Sequence, residues 1–88
     1  MYAISGIKKE DGSRVFLGNT RSQYFLWTKN KEYIRLFESI NDAVKFWETF
    51  KPKASPLMLG EVAINTLAVG NLNFSPEYYL EEKGANDE

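Results

Sequence analysis

The 88-residue chain contains no histidine and no cysteine. The missing cysteine removes disulfides, thiolate metal sites and cysteine nucleophiles. The missing histidine removes imidazole general-base catalysis and the side chain that most readily titrates near neutral pH. No window approaches eighteen consecutive apolar residues, and Met1 to Lys9 lacks the charged start and long apolar run of a secretory signal. The expectation is a cytoplasmic protein that does not span a membrane. There is no Gly-rich phosphate loop, no Gly-x-Gly-x-x-Gly and no serine elbow. Acid–base chemistry would fall to carboxylates, lysines or tyrosines. The one adjacent carboxylate pair without an evident turn or helix role, Glu81-Glu82, lies in an expected solvated tail. Asp11 with Glu10 is accounted for by a turn, so no metal, cofactor or catalytic residue is expected.

What is present is apolar and aromatic. Hydrophobic residues make up 43% and aromatics 15% of the chain, enough for a single small core without metal or disulfide staples. The formal charge of −1 conceals an uneven distribution. Residues 1–35 carry seven basic and three acidic side chains, whereas residues 36–88 carry four and nine. Much of that acidity lies between Glu77 and Glu88.

Tyr2–Ile7 and Arg14–Leu17 read as a β-hairpin, with Asp11-Gly12 supplying the positive φ of its turn. Residues 18–23 form a polar loop. Tyr24–Thr28 is apolar on both alternating faces, as expected of a central strand. Tyr33–Phe37 reads as a further strand, Ile34 and Leu36 sharing one face and Tyr33, Arg35 and Phe37 the other, with a helix from near Asn30 as the alternative. Ser39 begins an amphipathic helix in which Ile40, Ala43, Val44, Trp47 and Phe50 form the apolar face. Pro52 and Pro56 stop it. Within 57–69, the alternation of Val62, Ile64 and Thr66 points to a strand, and a helix over 61–69 also fits. Ser75-Pro76-Glu77 has the form of a helix start, giving a short helical turn and then an acidic, disordered tail.

The expected fold is α+β: a small antiparallel sheet in the order β-β-β-β-α-β with one amphipathic helix on one face, as one domain over 1–74 followed by the 75–88 tail. One helix covers one side of such a sheet. The other side is either covered by the segment carrying Leu72, Phe74, Tyr78, Tyr79 and Leu80 or left as a partner surface. Tyr24, Trp27, Tyr33 and Arg35 are the candidate contacts for a protein partner or a homodimer. Arg14, Arg21, Lys29 and Lys31, interleaved with aromatics, offer an alternative in which single-stranded nucleic acid stacks on a basic sheet. A third reading is a small anionic ligand held by Lys51, Lys53 or Arg35.

The start Tyr2-Ala3-Ile4, the hairpin, the strand carrying Trp27 and the helix entry Leu36-Phe37-Glu38-Ser39-Ile40-Asn41-Asp42-Ala43 resemble a pattern common in small uncharacterised proteins of bacteriophages and prophages of Gram-positive bacteria. The resemblance covers Tyr2 to Phe50. It implies a non-enzymatic accessory protein that binds a host or phage macromolecule, as do small phage proteins that block host defence. It assigns no site residues.

Overall fold

The computed structural model describes residues 1–19, 27–54, 56–71 and 75–81. Five strands, β1 (Tyr2–Ile7), β2 (Arg14–Leu17), β3 (Trp27–Thr28), β4 (Ala68–Asn71) and β5 (Pro76–Tyr79), form one antiparallel sheet in the order β3-β2-β1-β4-β5. The helix α1 (Ile40–Phe50) packs on one side, and a single-turn helix, α2 (Pro56–Leu59), follows it. This is the α+β class that the sequence predicts.

The hairpin forms as expected. Gly12 adopts φ of 73°, and Asp11 Oδ1 accepts hydrogen bonds from the Ser13 amide and hydroxyl, fixing the turn locally. Those bonds, with smaller contributions from Lys29 and Lys8, hold the Asp11 carboxyl below its usual value.

The pairing of Lys8 N with Ser13 O means that even-numbered residues of β1 turn their main-chain groups toward β2 and odd-numbered ones toward β4. Tyr2 therefore faces the β2 side, where its N–H and C=O exchange bonds with Phe37 at 2.8 Å each. On β2, Leu17 O accepts from Arg35 N at 2.9 Å, and Gly18 bridges Ile34. The extended segment Ile34–Phe37 is thus a wedge between the start of β1 and the end of β2. It takes up main-chain groups that a longer hairpin would have paired with each other.

The wedge corrects the expected strand at Tyr33–Phe37. Asn30 Oδ1 accepts the Glu32 amide, and Thr28 Oγ1 accepts the Asn30 amide, so Lys31–Tyr33 curls into a 3₁₀ turn before the chain extends. The predicted facing survives for residues 34–37, since Arg35 and Phe37 both reach Phe46 of α1 and leave Ile34 and Leu36 on the opposite side. Tyr33, expected beside Arg35 and Phe37, ends the 3₁₀ turn instead. The expected central strand at Tyr24–Thr28 is also corrected. Its described part, β3, is a two-residue edge strand, and β1 is the centre of the sheet. Trp27 owes its apolar character to contact with the core, while its indole N–H donates to Met58 O at 2.9 Å. Residues 20–26, and with them most of the expected loop and Tyr24–Leu26, lie outside the described residues.

Helix α1 begins as its sequence requires, with Ser39 Oγ accepting the Asp42 amide at 3.0 Å. Its buried residues Ala43, Trp47 and Phe50 recur at helical spacing. They meet Ile4, Val15, Leu17 and Val69 from the sheet, together with Met58, Val62 and Leu67. Phe46 and Phe50 stack at 5.6 Å, and Trp47 tilts against Phe50 at 5.7 Å. Each large side chain buried here contributes on the order of 1.5–3 kcal/mol.

Two further expectations fail for tertiary reasons. The strand expected at Val62–Thr66 is instead a main-chain bridge at Val62 followed by a 3₁₀ turn at Ile64–Thr66, and β4 starts only at Ala68. Thr66 is responsible: its hydroxyl donates to Ala63 O and accepts the Ile7 amide at 2.9 Å, substituting for a ladder bond. The helical turn expected from Ser75 is strand β5, because Tyr78 and Tyr79 pair with Val69 and Ala68 and Leu80 N reaches Leu67 O at 2.9 Å. Pro76 suits a sheet edge as well as a helix start. Leu72, Phe74 and the tail from Glu82 to Glu88 lie outside the described residues. Among the described residues, no helix is long and apolar enough to cross a membrane.

Candidate interaction surface

The sheet has one side under α1 and one side turned away from it. Alternation along the strands places Ala3, Ser5, Arg14, Phe16, Ala68, Gly70 and Tyr79 on the far side. Its centre is dry: Ala3, Ser5 and Ala68 are fully buried. The Ser5 hydroxyl is satisfied by Arg14 Nη1 at 3.1 Å. Ile34 is buried too, yet stands apart from the cluster under α1, as its place on the far side requires. The middle of the second face is therefore not an open apolar surface. The described end of the C-terminal segment extends the sheet sideways as β5 instead of folding across it.

Of the four side chains expected to form one contact face, the three that are described lie apart. Arg35 sets its guanidinium 4.7 Å from the Phe46 ring centroid, on the helix side of the wedge, and burial depresses its pKa. Trp27 is half-buried against the core. Tyr24 lies outside the described residues. Only Tyr33 stands out, 58% exposed at the end of its 3₁₀ turn.

The basic set does not converge either. Arg14 is engaged with Ser5 on the far side of the sheet, Lys29 and Lys31 are exposed after β3, and Arg21 lies outside the described residues. The proposed anion site is likewise not assembled, since Lys51 Nζ binds Glu81 at 2.7 Å, Arg35 lies over Phe46, and Lys53 is exposed in the turn after α1. An open cleft of about 370 Å³ exists elsewhere, between the hairpin turn and the α2–β4 connection. Lys8, Lys9, Glu10, Gly60 and Glu61 line it. Its mixed charge selects no ligand class. Among the described residues, no three carboxylates gather in a way that could hold a metal ion.

What the fold does assemble is a small apolar group at the wedge. The bridge between Tyr2 and Phe37 sets Leu36 opposite Ala3 and makes Met1 its diagonal neighbour on the far side. Leu36 is 43% and Met1 63% exposed. The wedge that carries Leu36 and follows Tyr33 is fixed by main-chain bonds on both flanks, to Tyr2 on one side and to Leu17 on the other. Asn19 N donates to Tyr33 O, tying down the residue just before it. Sequence reading found Tyr33 from its type but missed Leu36 and Met1, because only the insertion of the wedge brings those two together. Comparison with known proteins finds no family model, no curated relative and no solved structure that matches this chain.

Proposed function

We propose that this protein acts by binding another protein, without catalysis, through the exposed end of the wedge, where Leu36 has Met1 as its diagonal neighbour and Tyr33 stands just before the extended segment. One observation carries the reading: Leu36 stands exposed on a segment whose backbone is already bonded on both sides, and the carbonyl of exposed Tyr33 just before it is tied to Asn19. Such a platform loses little conformational entropy on association, so more of its contact energy appears as affinity. Tyrosine adds a large, stiff, amphipathic contact of the kind concentrated at the energetic centres of interfaces. The absence of histidine and cysteine, with no convergent acidic cluster among the described residues, supports binding over catalysis. A role as a phage accessory factor directed at a host or phage protein is compatible with this surface and with the resemblance over Tyr2 to Phe50.

The test is site-specific photo-crosslinking in the source cells, with a photoreactive residue at Tyr33 and a control at Lys45 on the exposed side of α1. A discrete adduct at Tyr33 that disappears on Leu36→Asp, with the variant still folded by circular dichroism, is the expected result. Equal adducts at both positions, or an adduct indifferent to Leu36→Asp, would overturn the assignment. An adduct of twice the chain mass would identify the partner as a second copy.

A further inference from the structure

Strand β5 and the strand it covers differ in how their edges are protected. β5 starts at Pro76, carries Glu77, contains a register irregularity opposite Val69 and Gly70, and leaves all four of its residues exposed. Proline, charge, shortness and a bulge each discourage further pairing at a sheet edge. β4 has no such protection. Ala68–Asn71 contains no charge and no proline, and its first three residues are buried. An edge of that composition pairs readily with an extended chain laid along it.

The attachment of β5 is also unusual. Because none of its four residues is buried, substantial apolar anchoring begins only at Leu80, which packs against the core while its amide donates to Leu67 O. Glu81 follows with a polar lock. Its Oε2 accepts from Trp47 Nε1 at 3.1 Å and from Lys51 Nζ at 2.7 Å, and its side chain is 19% exposed. Trp47 and Lys51 are four residues apart, one above the other along α1 and its continuation. The segment is thus held at two separable places, a main-chain ladder on β4 and a side-chain lock on the helix.

We propose that residues 76–81 are a detachable strap over the edge of β4, locked by Glu81 onto Trp47 and Lys51, and that the edge beneath is a docking groove for an extended peptide. The strap defines the chemistry of that peptide: a leucine-like side chain for the core, followed directly by a carboxylate for Lys51. This groove is distinct from the Tyr33–Leu36 surface.

The lock responds to pH. Lys51 is the charge that acts on Glu81; β4 contributes no titratable side chain, and the strap itself adds Glu77, Tyr78 and Tyr79. Burial pushes the Glu81 carboxyl up, but the hydrogen bonds from Lys51 and Trp47, with the Lys51 charge, outweigh it and bring the carboxyl below its ordinary value of 4.5. A carboxyl depressed in the locked state contributes its full stabilisation above the ordinary value and loses it as pH falls through the depressed one. Acid therefore weakens the Glu81 lock.

Amide hydrogen exchange on the full chain tests this, with a labelled peptide of the sequence Ser-Pro-Glu-Tyr-Tyr-Leu-Glu as the docking probe. At pH 7, Glu81→Gln and Lys51→Met should each speed exchange at the Leu80 amide about tenfold, the weight of one charge-assisted hydrogen bond, while α1 stays protected. Glu81→Gln, which keeps Lys51 for the incoming carboxylate, should take up the peptide about tenfold more tightly than wild type. Lys51→Met, which removes the partner of strap and peptide alike, should show no such gain, and Glu48→Gln, an exposed acid on the same helix, should change neither reading. A peptide with aspartate in place of its leucine should not bind. Unchanged Leu80 protection in both variants overturns the lock, and loss of α1 protection in step with Leu80 overturns an independent strap. Failure of Glu81→Gln to bind the peptide overturns the groove, and a dimer formed without peptide uptake overturns the peptide as its occupant in favour of the strap of a second copy.

Discussion

The two faces of the sheet are both dry at the centre, yet they reach that state by opposite means. Under α1, Ile4, Leu17 and Val69 interdigitate with Trp47 and Phe50, so burial there comes from volume. On the far side the corresponding positions are Ala3, Ser5, Ala68 and Gly70, small residues that are just as fully buried. The contrast shows that apolar bulk in a strand marks only one kind of buried face. A stripe of small residues marks a face whose centre has no spare room, and what each side tolerates should differ in sign and size.

Trp47→Ala should produce the largest effect, about 3–5 kcal/mol in denaturant unfolding, because it empties the middle of the helix-side cluster. A cost below about 1 kcal/mol would mean that the two faces share the load and that the contrast is false. Next comes Ala68→Leu on the far side. Overpacking should cost about 1–3 kcal/mol, and a neutral result would show room where the contrast requires none. Gly6→Ala probes the helix side in the same direction, since an added Cβ would lie 3.1 Å from both Leu67 Cδ2 and Val62 Cβ. The expected cost is about 1 kcal/mol, at the low end of overpacking, because only the leucine tip can yield. Ser39→Ala removes the amide cap of α1 and should cost about 1 kcal/mol by thermal or denaturant melting, without altering far-side packing. Tyr33→Ala should lie within about 0.5 kcal/mol of wild type, as befits a side chain held outside both layers.

The sequence was most legible where local chemistry and tertiary packing agree. Asp11-Gly12 made the hairpin turn, Ser39 started the helix, and the spacing of Ala43, Trp47 and Phe50 marked the face that packs. It was least legible where a side-chain bond diverted the backbone. Thr66 took the Ile7 amide and turned an alternating segment into a 3₁₀ turn, and Asn30 did the same ahead of the wedge. Pro76 was ambiguous in itself, and pairing with β4 decided for a strand. The proposed interaction surface was only partly visible for a related reason. Tyr33 could be picked by residue type, but Arg35 was drawn inward by Phe46, and Leu36 acquired its neighbour Met1 through a main-chain bridge. No spacing along the chain encodes that bridge.

The wedge also bears on the order in which the chain folds. The register of β1 against β2, continued past Ser5 and Phe16, would bring Tyr2 opposite Asn19. Nothing in the first nineteen residues stops a young hairpin from zipping that far, and hairpins close within about 1–10 μs. The native arrangement instead assigns Tyr2 to Phe37 and Leu17 O to Arg35, contacts that close larger loops and form later. An over-zipped hairpin is therefore a built-in competitor of the native fold. Any rungs formed there would have to open before residues 34–37 could enter, so the fork between β1 and β2 is where local pairing and the global fold compete for the same main-chain groups.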